Sequence, residues 1–169
     1  MQRGEPGGRR ETHPTKRLLI DTAVTLLEDN AVEELTISDV LTASGISYGS
    51  LYHHFEDFAD VVEHALLRLY GRHVDESIVA IEQSFDAATS RDEFARNLSE
   101  VTRWTQAPER AALRLRRIVI FASTESSPRF RAALGAEQQR LTSTFAATIV
   151  RAQALGWIDP AIDPESLAV

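Results

Sequence analysis

The segment Gly45-Ile46-Ser47-Tyr48-Gly49 is the first place where residue types and spacing could do chemistry, because it matches G-x-S-x-G. In α/β-hydrolases that motif holds a nucleophilic serine on a sharp turn between a strand and a helix, above a parallel sheet. The residues before Gly45 carry the signals of a capped helix instead, and no alternating strand pattern with hairpin turns occurs along the chain. We therefore interpret the match as coincidental.

A second chemical possibility is a metal site at His53-His54, which Glu56 and Asp57 follow. The spacing matches no standard zinc pattern, and adjacent histidines on a helix point about 100° apart. The chain has no cysteine, which excludes disulfides, thiolate ligands and cysteine nucleophiles. The sequence predicts neither a metal nor a cofactor. It also predicts no enzyme, because no nucleophile, general base and orienting group can be assembled into one catalytic site from the sequence.

The same region suits a different chemistry, the reading of DNA, because residues 36–55 are patterned as two short helices joined by a tight turn. Thr36 with Asp39 three residues later is a capping-box-like start for the first helix. Gly45 allows the left-handed backbone that the turn requires, and Ser47 can cap the second helix. The apolar side chains expected to hold this helix-turn-helix together are Ile37, Val40, Leu41, Ile46 and Leu51.

The second of these helices is expected to enter the major groove of DNA, whose width admits one helix. Hydroxyl and imidazole groups can donate to phosphates or base edges without carrying a permanent charge. Gly49 lets the backbone approach the DNA closely. The groove-facing side chains are then Ser47, Tyr48, Ser50 and His53.

Helical spacing and capping signals along the rest of the chain predict an all-α fold that positions this segment. A first helix is predicted over 14–29, and a long helix carries apolar residues at helical spacing from Val62 to Phe85. The later helices are predicted to begin near capping or first-turn residues, namely Asp57, Ser90, Pro108 and Ser127, with Gly156 ending the last.

Charge is distributed unevenly along this chain of 169 residues, whose formal net charge is −7. Residues 1–17 are basic, whereas residues 18–67 contain ten Asp or Glu and no Lys or Arg. Favourable contacts with phosphates are therefore expected from the arm with Lys16 and Arg17, from helix N-termini, or from Arg68 and Arg72. The first 12 or so residues are predicted to be disordered. We expect a soluble, cytoplasmic protein, because neither a secretory signal nor an apolar stretch of membrane-spanning length is present.

The order of a helix, T-x-x-D-V, A-S-G-I-S-x-G-S-L-Y-H-H-F and a long helix resembles the N-terminal domain of TetR-family repressors over about residues 14–67. The resemblance implies that Thr36 and Tyr52 touch phosphates and that the groove-side residues are those given above. It also implies a homodimer whose C-terminal domain holds a pocket for a small-molecule effector. Binding of that effector would pull the two reading heads out of register.

Three positions depart from the pattern of that family. Phe58 stands where family members usually have a lysine that contacts a phosphate, and Asn30 replaces a glycine at the end of the first helix. The final residues, D-P-E-S-L-A-V, look like the opening of a last helix that the family uses in its dimer interface. Either the chain is a truncation, or the dimer is built mainly from the 128–155 helix.

Aromatic and apolar residues in the C-terminal part support two interpretations, a packed core or an apolar effector pocket between helices. The pocket candidates are Phe85, Phe94, Leu98, Trp104, Leu113 and Phe121. The candidates for a dimer face on the last long helix are Leu141, Phe145, Ile149 and Ala152. An arginine cluster could meet an anionic effector, although a solvated helix face explains it equally well, and it comprises Arg103, Arg114, Arg116 and Arg117.

Taken together, the sequence predicts a helix-turn-helix domain over 1–55, including the arm, and a regulatory and dimerisation domain over 56–169. The predicted function is a transcriptional repressor that binds double-stranded operator DNA as a homodimer and is released by a small molecule. The alternative is a helical ligand-binding or protein-interaction module with little DNA affinity, which the acidic 18–67 segment and Phe58 favour.

Overall fold

The computed structural model describes residues 13–123 and 127–168, and these residues form only helices and their connections. This confirms the all-α prediction. The predicted disorder of the arm concerns residues outside the described ranges. The α-helices are α1 (Pro14–Asp29), α2 (Ile37–Ser44), α3 (Tyr48–His54), α4 (Phe58–Asp86), α5 (Arg91–Gln106), α6 (Ala111–Ala122), α7 (Pro128–Ala154) and α8 (Pro164–Ala168). Short 3-10 helices lie at Val32–Glu34 and Pro108–Arg110.

The first three helices form one packed group, in which α1 contacts both α2 and α3. The apolar side of α1 is fully buried, and the only buried residues of α2 and α3 are Val40 and Leu51. Ile37 and Leu41, which we expected in this core, are only half-buried. The two short helices therefore rest on α1 through a small number of apolar contacts, and most of their surface is left for other contacts.

The long helix α4 begins where its two aspartates predict it. The carboxylate of Asp57 accepts a hydrogen bond from the backbone N–H of Asp60 at 2.8 Å. The carboxylate of Asp60 is buried, lies 2.9 Å from Nδ1 of His64 and accepts from the backbone N–H of Glu56 at 3.2 Å. The start of α4 is thus held by side chains of its own first turns, as is usual for a capped helix.

The described residues separate into two compact units, one ending at Leu66 and the other beginning at Leu67. The first turns of α4 belong to the N-terminal unit, which ends at Leu66, and Val61, Ala65 and Leu66 in these turns are buried. The compact N-terminal unit therefore extends past residue 55, and the division into functions at that residue stays a prediction.

In the C-terminal unit, an aromatic cluster joins the ends of three elements. The rings of Phe85 on α4 and Phe94 on α5 lie 5.7 Å apart, and Trp157, just after α7, lies 5.6 and 5.8 Å from them. Ala152 of α7 is buried in the same cluster. Gly156 ends α7 with a φ of +73°, a left-handed conformation that a glycine adopts without strain. Among the described helices, none combines the length and apolar character that crossing a membrane requires.

Candidate functional site

The exposed surface of α3 carries two tyrosines one helical turn apart. Tyr48 and Tyr52 are 54% and 48% exposed, and their ring centroids lie 5.5 Å apart. Partial loss of solvent, followed by the neighbouring Tyr48, raises the pKa of Tyr52 above its usual value. Its phenol therefore stays protonated at neutral pH and can donate a hydrogen bond to a phosphate oxygen. Large apolar rings left this exposed on a short helix are typical of a contact surface.

The start of α3 combines a capping hydroxyl with an open backbone. The hydroxyl oxygen of Ser47 accepts a hydrogen bond from the N–H of Ser50 at 3.3 Å, which leaves the hydroxyl proton of Ser47 free to donate. Ser47 is exposed, whereas Ser50 is half-buried. A methyl group added at Gly49 meets no atom within 4 Å. Nothing in the packing of the described residues therefore requires a glycine at this position.

Thr36 caps the start of α2 together with Asp39, as the spacing of the two residues predicts. Its hydroxyl donates to the carboxylate of Asp39 at 2.5 Å and accepts from the Asp39 N–H at 3.3 Å, and its own N–H donates to the same carboxylate. These bonds to Thr36 lower the pKa of Asp39. The hydroxyl proton of Thr36 is already committed, so the donors available at the start of α2 are the backbone N–H groups of Ile37 and Ser38.

Three histidines meet where the start of α1 approaches the end of α3. The ring of His54 lies 4.5 Å from that of His13 and 5.0 Å from that of His53. Burial is the largest cause of the lowered pKa of His54, and the neighbouring charges of His13, His53 and Lys16 lower it further. His54 is therefore a packing residue between two helices, whereas His53 is exposed. Within the described ranges, no group of three or more His, Cys, Asp or Glu residues could hold a metal ion.

The two basic residues of the first turn of α1 differ in their surroundings. The ammonium of Lys16 lies 4.8 Å from the centre of the buried Phe55 ring, which is a cation–π contact. Arg17 is exposed. Arg17 is thus the better placed of the two to reach a phosphate without giving up a contact within the protein.

The contacts that sequence reasoning missed join residues far apart in the chain. The packing of α1 against α3 brings His13 to His54 and Lys16 to Phe55. No local sequence pattern predicts such contacts. The Tyr48 and Tyr52 pair could have been found, because residues four apart on a helix are neighbours.

The candidates for an effector pocket lie in different surroundings within the C-terminal unit. Phe85 and Phe94 are core residues, and Leu98 packs against their cluster. The ring of Phe121 lies 5.4 Å from that of Tyr70 on α4. Leu113 is half-buried, and of the six only Trp104 lines a cavity described below.

The candidate dimer face and the arginine cluster are also partly used within the chain. Ile149 and Ala152 are buried, so the chain's own fold covers them and a partner cannot, whereas Leu141 and Phe145 are half-buried. The guanidinium of Arg114 donates to the carbonyls of Thr105 and Ala107 at 2.9 and 3.0 Å and so closes the end of α5. The expectation for Ile149 and Ala152 is therefore corrected, and Arg114 has a structural role.

Comparison with known proteins identifies relatives of the N-terminal unit. Residues 19–65 match the model of a family described as bacterial regulatory proteins, tetR family. The chain is 32% identical over 90 residues to the HTH-type transcriptional repressor KstR2 of Mycolicibacterium smegmatis, which covers 51% of this chain and 37% of that protein. It is 40% identical over 48 residues to KstR2 of Rhodococcus jostii, covering 28% of this chain and 24% of that protein. The alignments thus span well under two thirds of either repressor.

Solved structures resemble the fold over nearly the whole chain. The fatty acid degradation regulator FadR from Bacillus halodurans superposes with a TM-score of 0.60 at 16% identity, covering 94% of this chain and 79% of that one. Salmonella enterica GusR superposes with a TM-score of 0.63 at 21% identity, covering 96% and 80%. Residues 19–65 thus form a helix-turn-helix domain of the tetR family of bacterial regulatory proteins, and the solved structures show that the fold is shared over most of the chain.

Proposed function

We propose that the protein is a transcriptional repressor that binds double-stranded operator DNA through α2 and α3. The observation that carries the proposal is the exposed pair of Tyr48 and Tyr52 on a helix capped by Ser47. A helix-turn-helix places its second helix in the major groove and its neighbouring N–H groups on the phosphates. Repression is favoured over other modes because both curated relatives are named as repressors.

In this proposal some hydrogen-bond donors contact the DNA phosphates, and others face the major groove. The phenol of Tyr52 and the N–H groups at the start of α2 hold the phosphates, together with Arg17 and, less strongly, Lys16. The groove side is formed by Ser47, Tyr48, Ser50 and His53, with the backbone near Gly49. Thr36 contributes by holding the start of α2 in place through Asp39, not by donating its hydroxyl proton.

The complete regulator is proposed to be a cytoplasmic homodimer without enzymatic activity, released from DNA by a small molecule. A palindromic operator presents its half-sites about one duplex turn (~34 Å) apart, so two reading heads are needed for tight selective binding. The helix α4 contributes residues to both compact units, which makes it the element through which ligand binding would reach the reading head.

The test is a binding titration of the purified protein with DNA fragments from its own gene neighbourhood. We expect saturable binding to one palindromic fragment. Tyr52→Phe removes only the phenol hydroxyl and should raise the Kd of the dimer at least about a hundredfold, since each of its two helix-turn-helix domains loses a hydrogen bond to a charged group that contributes roughly 1.5–3 kcal/mol. Thr25→Ala is the matched control, because that exposed hydroxyl bonds to its own helix at Asp21.

The alternative function, a ligand-binding or interaction module with little DNA affinity, is favoured by the ten acidic residues between 18 and 67 and by Phe58. It predicts no fragment-selective binding even at low salt from a folded dimer. That result, obtained without ligand and again with candidate effectors present, would replace the repressor proposal.

A further inference from the structure

A groove of about 610 Å³ runs between α4 and α5, within the C-terminal unit. Its volume is in the range of pockets that hold small organic molecules, roughly 300–1,000 Å³. Near one end the two helices are joined by the Phe85 and Phe94 rings and by the amide of Asn97, which donates to the carbonyl of Ser84 at 3.0 Å. Apolar side chains of Val79, Ala80 and Val101 contribute to its wall.

The opposite end shows how the protein itself binds a cation there. The guanidinium of Arg110 lies 3.6 Å from the centre of the Trp104 indole and donates to the carboxylate of Glu76 at 3.1 Å. A cation over an indole and beside a carboxylate is held by both the ring quadrupole and the opposite charge. Glu76 and Trp104 both line the groove.

The groove contains a second carboxylate beside the same indole. Glu100 lies one helical turn before Trp104 on α5, which places the two side chains on one face. Glu100 is exposed, and its carboxylate makes no ion pair or hydrogen bond within the described residues. Trp104 remains 39% exposed although Arg110 is stacked on it.

The charges of the lining favour one class of ligand. Two glutamates line the groove, and no lysine, arginine or histidine does. Arg110 already neutralises Glu76, so Glu100 is the carboxylate that would repel an anion or attract a cation, and a cation held by Glu100 could lie against the exposed part of the indole. The apolar part of the wall would accept a hydrocarbon or aromatic body attached to that cation.

We propose that this groove binds an amphipathic organic cation, with its ammonium or amidinium group at Glu100 and Trp104 and its apolar body along Val79, Ala80 and Val101. The ligand is a small molecule with one positive charge and a flat or branched hydrocarbon part. Its role as the effector that controls DNA binding rests on the proposed function, whereas its binding to the groove does not.

Calorimetric titration of the full chain with three matched probes tests the binding. The probes are 1-naphthylmethylammonium, neutral 1-naphthalenemethanol and anionic 1-naphthaleneacetate, which share one aromatic body. We expect the ammonium to bind at least about tenfold more tightly than the alcohol, and the acetate to bind more weakly than either. Equal affinities for the ammonium and the alcohol would overturn the proposal.

Two variants locate the site. Glu100→Gln keeps the shape of the side chain and removes its charge, so it should weaken binding of the ammonium about tenfold and leave the alcohol unchanged. Ala80→Leu adds bulk to the wall and should weaken both probes. The control is Glu82→Gln, an exposed glutamate of α4 that lines a different groove and should change neither. Thermal melting confirms that each variant is folded, and an unchanged ammonium affinity in folded Glu100→Gln would refute the site.

Adding the ammonium probe to the protein on its operator fragment then tests its regulatory role. Release of DNA by wild type but not by Glu100→Gln would support the groove as the effector site. Binding of the probe without any effect on the DNA complex would refute that role alone. If no operator fragment is bound at all, the proposed function fails, and the calorimetric result still decides whether the groove binds cations.

Discussion

His73 of α4 is half-buried, and its two ring nitrogens are buried without a hydrogen-bond partner among the described residues. Burial lowers its pKa from the usual 6.5, Glu76 acts in the opposite direction, and Arg110, Arg116 and Arg117 lower it further. The carboxylate of Glu76 lies 3.9 Å from Nδ1, too far for a hydrogen bond. The folded state therefore favours the neutral form of His73 and leaves its ring nitrogens without hydrogen bonds.

This environment makes part of the stability depend on pH. The folded pKa lies below the unfolded one, so between the two values the unfolded chain binds more protons, and the free energy of unfolding falls as the pH drops below about 6.5. We expect His73→Phe to melt at an equal or higher temperature at about pH 7.5, since an apolar ring replaces an unpaired polar one. It should also lose less stability than wild type on going to about pH 5.5.

Melting temperatures at both pH values, measured by circular dichroism, check the prediction. Val79→Phe is the control, because it adds the same ring at an exposed position of α4 and removes no titratable group. A His73→Phe protein whose melting temperature falls with pH as steeply as that of wild type would contradict the assignment.

At the residue scale, what could be predicted from the sequence was local. The capping hydroxyls of Thr36 and Ser47 and the exposed Tyr48 follow from their positions relative to helix starts. The isolation of His73 and the pairing of Trp104 with Arg110 depend on which helices meet. Spacing along one helix carries no information about such contacts between helices.

At the scale of the element, two glycines of the helix-turn-helix are expected to have different roles, one in stability and the other in DNA binding. Gly45 ends α2 with a φ of +68°, whereas Gly49 lies in the first turn of α3. An added Cβ meets nothing within 4 Å at either position, so backbone conformation alone distinguishes the two. Gly45→Ala should lower the free energy of unfolding by about 1–2 kcal/mol, because a left-handed backbone is strained in alanine.

Gly49→Ala should have the opposite effect on stability, a gain of about 0.5–1 kcal/mol, since alanine favours a helix over glycine. If the backbone of α3 lies close to DNA, the same methyl group should weaken operator binding several-fold. Urea unfolding and the DNA titration together check both glycines, each serving as the other's control. A stabilised Gly49→Ala protein with undiminished DNA affinity would show that the backbone does not approach the operator.

The helix bounds were predictable because capping residues lie within three positions of the helix starts they hold. Ser90 and Ser127 each accept the N–H three residues later, and α5 and α7 begin just after them. The face of α7 that is buried was not predictable. An apolar stripe suits a core and a dimer face alike, and only the fold shows that Ile149 and Ala152 belong to the core.

At the scale of the whole molecule, the net charge of −7 opposes association with DNA, so binding must rely on few cations in favourable positions. Among the described residues of the N-terminal unit, Lys16 and Arg17 are the only Lys or Arg. Each phosphate neutralised by a cation steepens the dependence of log K on log salt by about 0.9. Arg17→Gln should therefore weaken binding and make the slope shallower by about two units for a dimer, one per reading head.

The salt series is measured by fluorescence anisotropy on the operator fragment, with Arg96→Gln as the control, an exposed arginine of α5 in the other compact unit. Lys16→Gln should reduce the slope less than Arg17→Gln, because its ammonium already lies against Phe55. Equal slopes for wild type and Arg17→Gln would remove Arg17 from the phosphate contacts. The neutral donors of α2 and α3 would then hold the backbone, with the arm of residues 1–12 supplying the remaining charge, because Arg3, Arg9 and Arg10 are its basic residues.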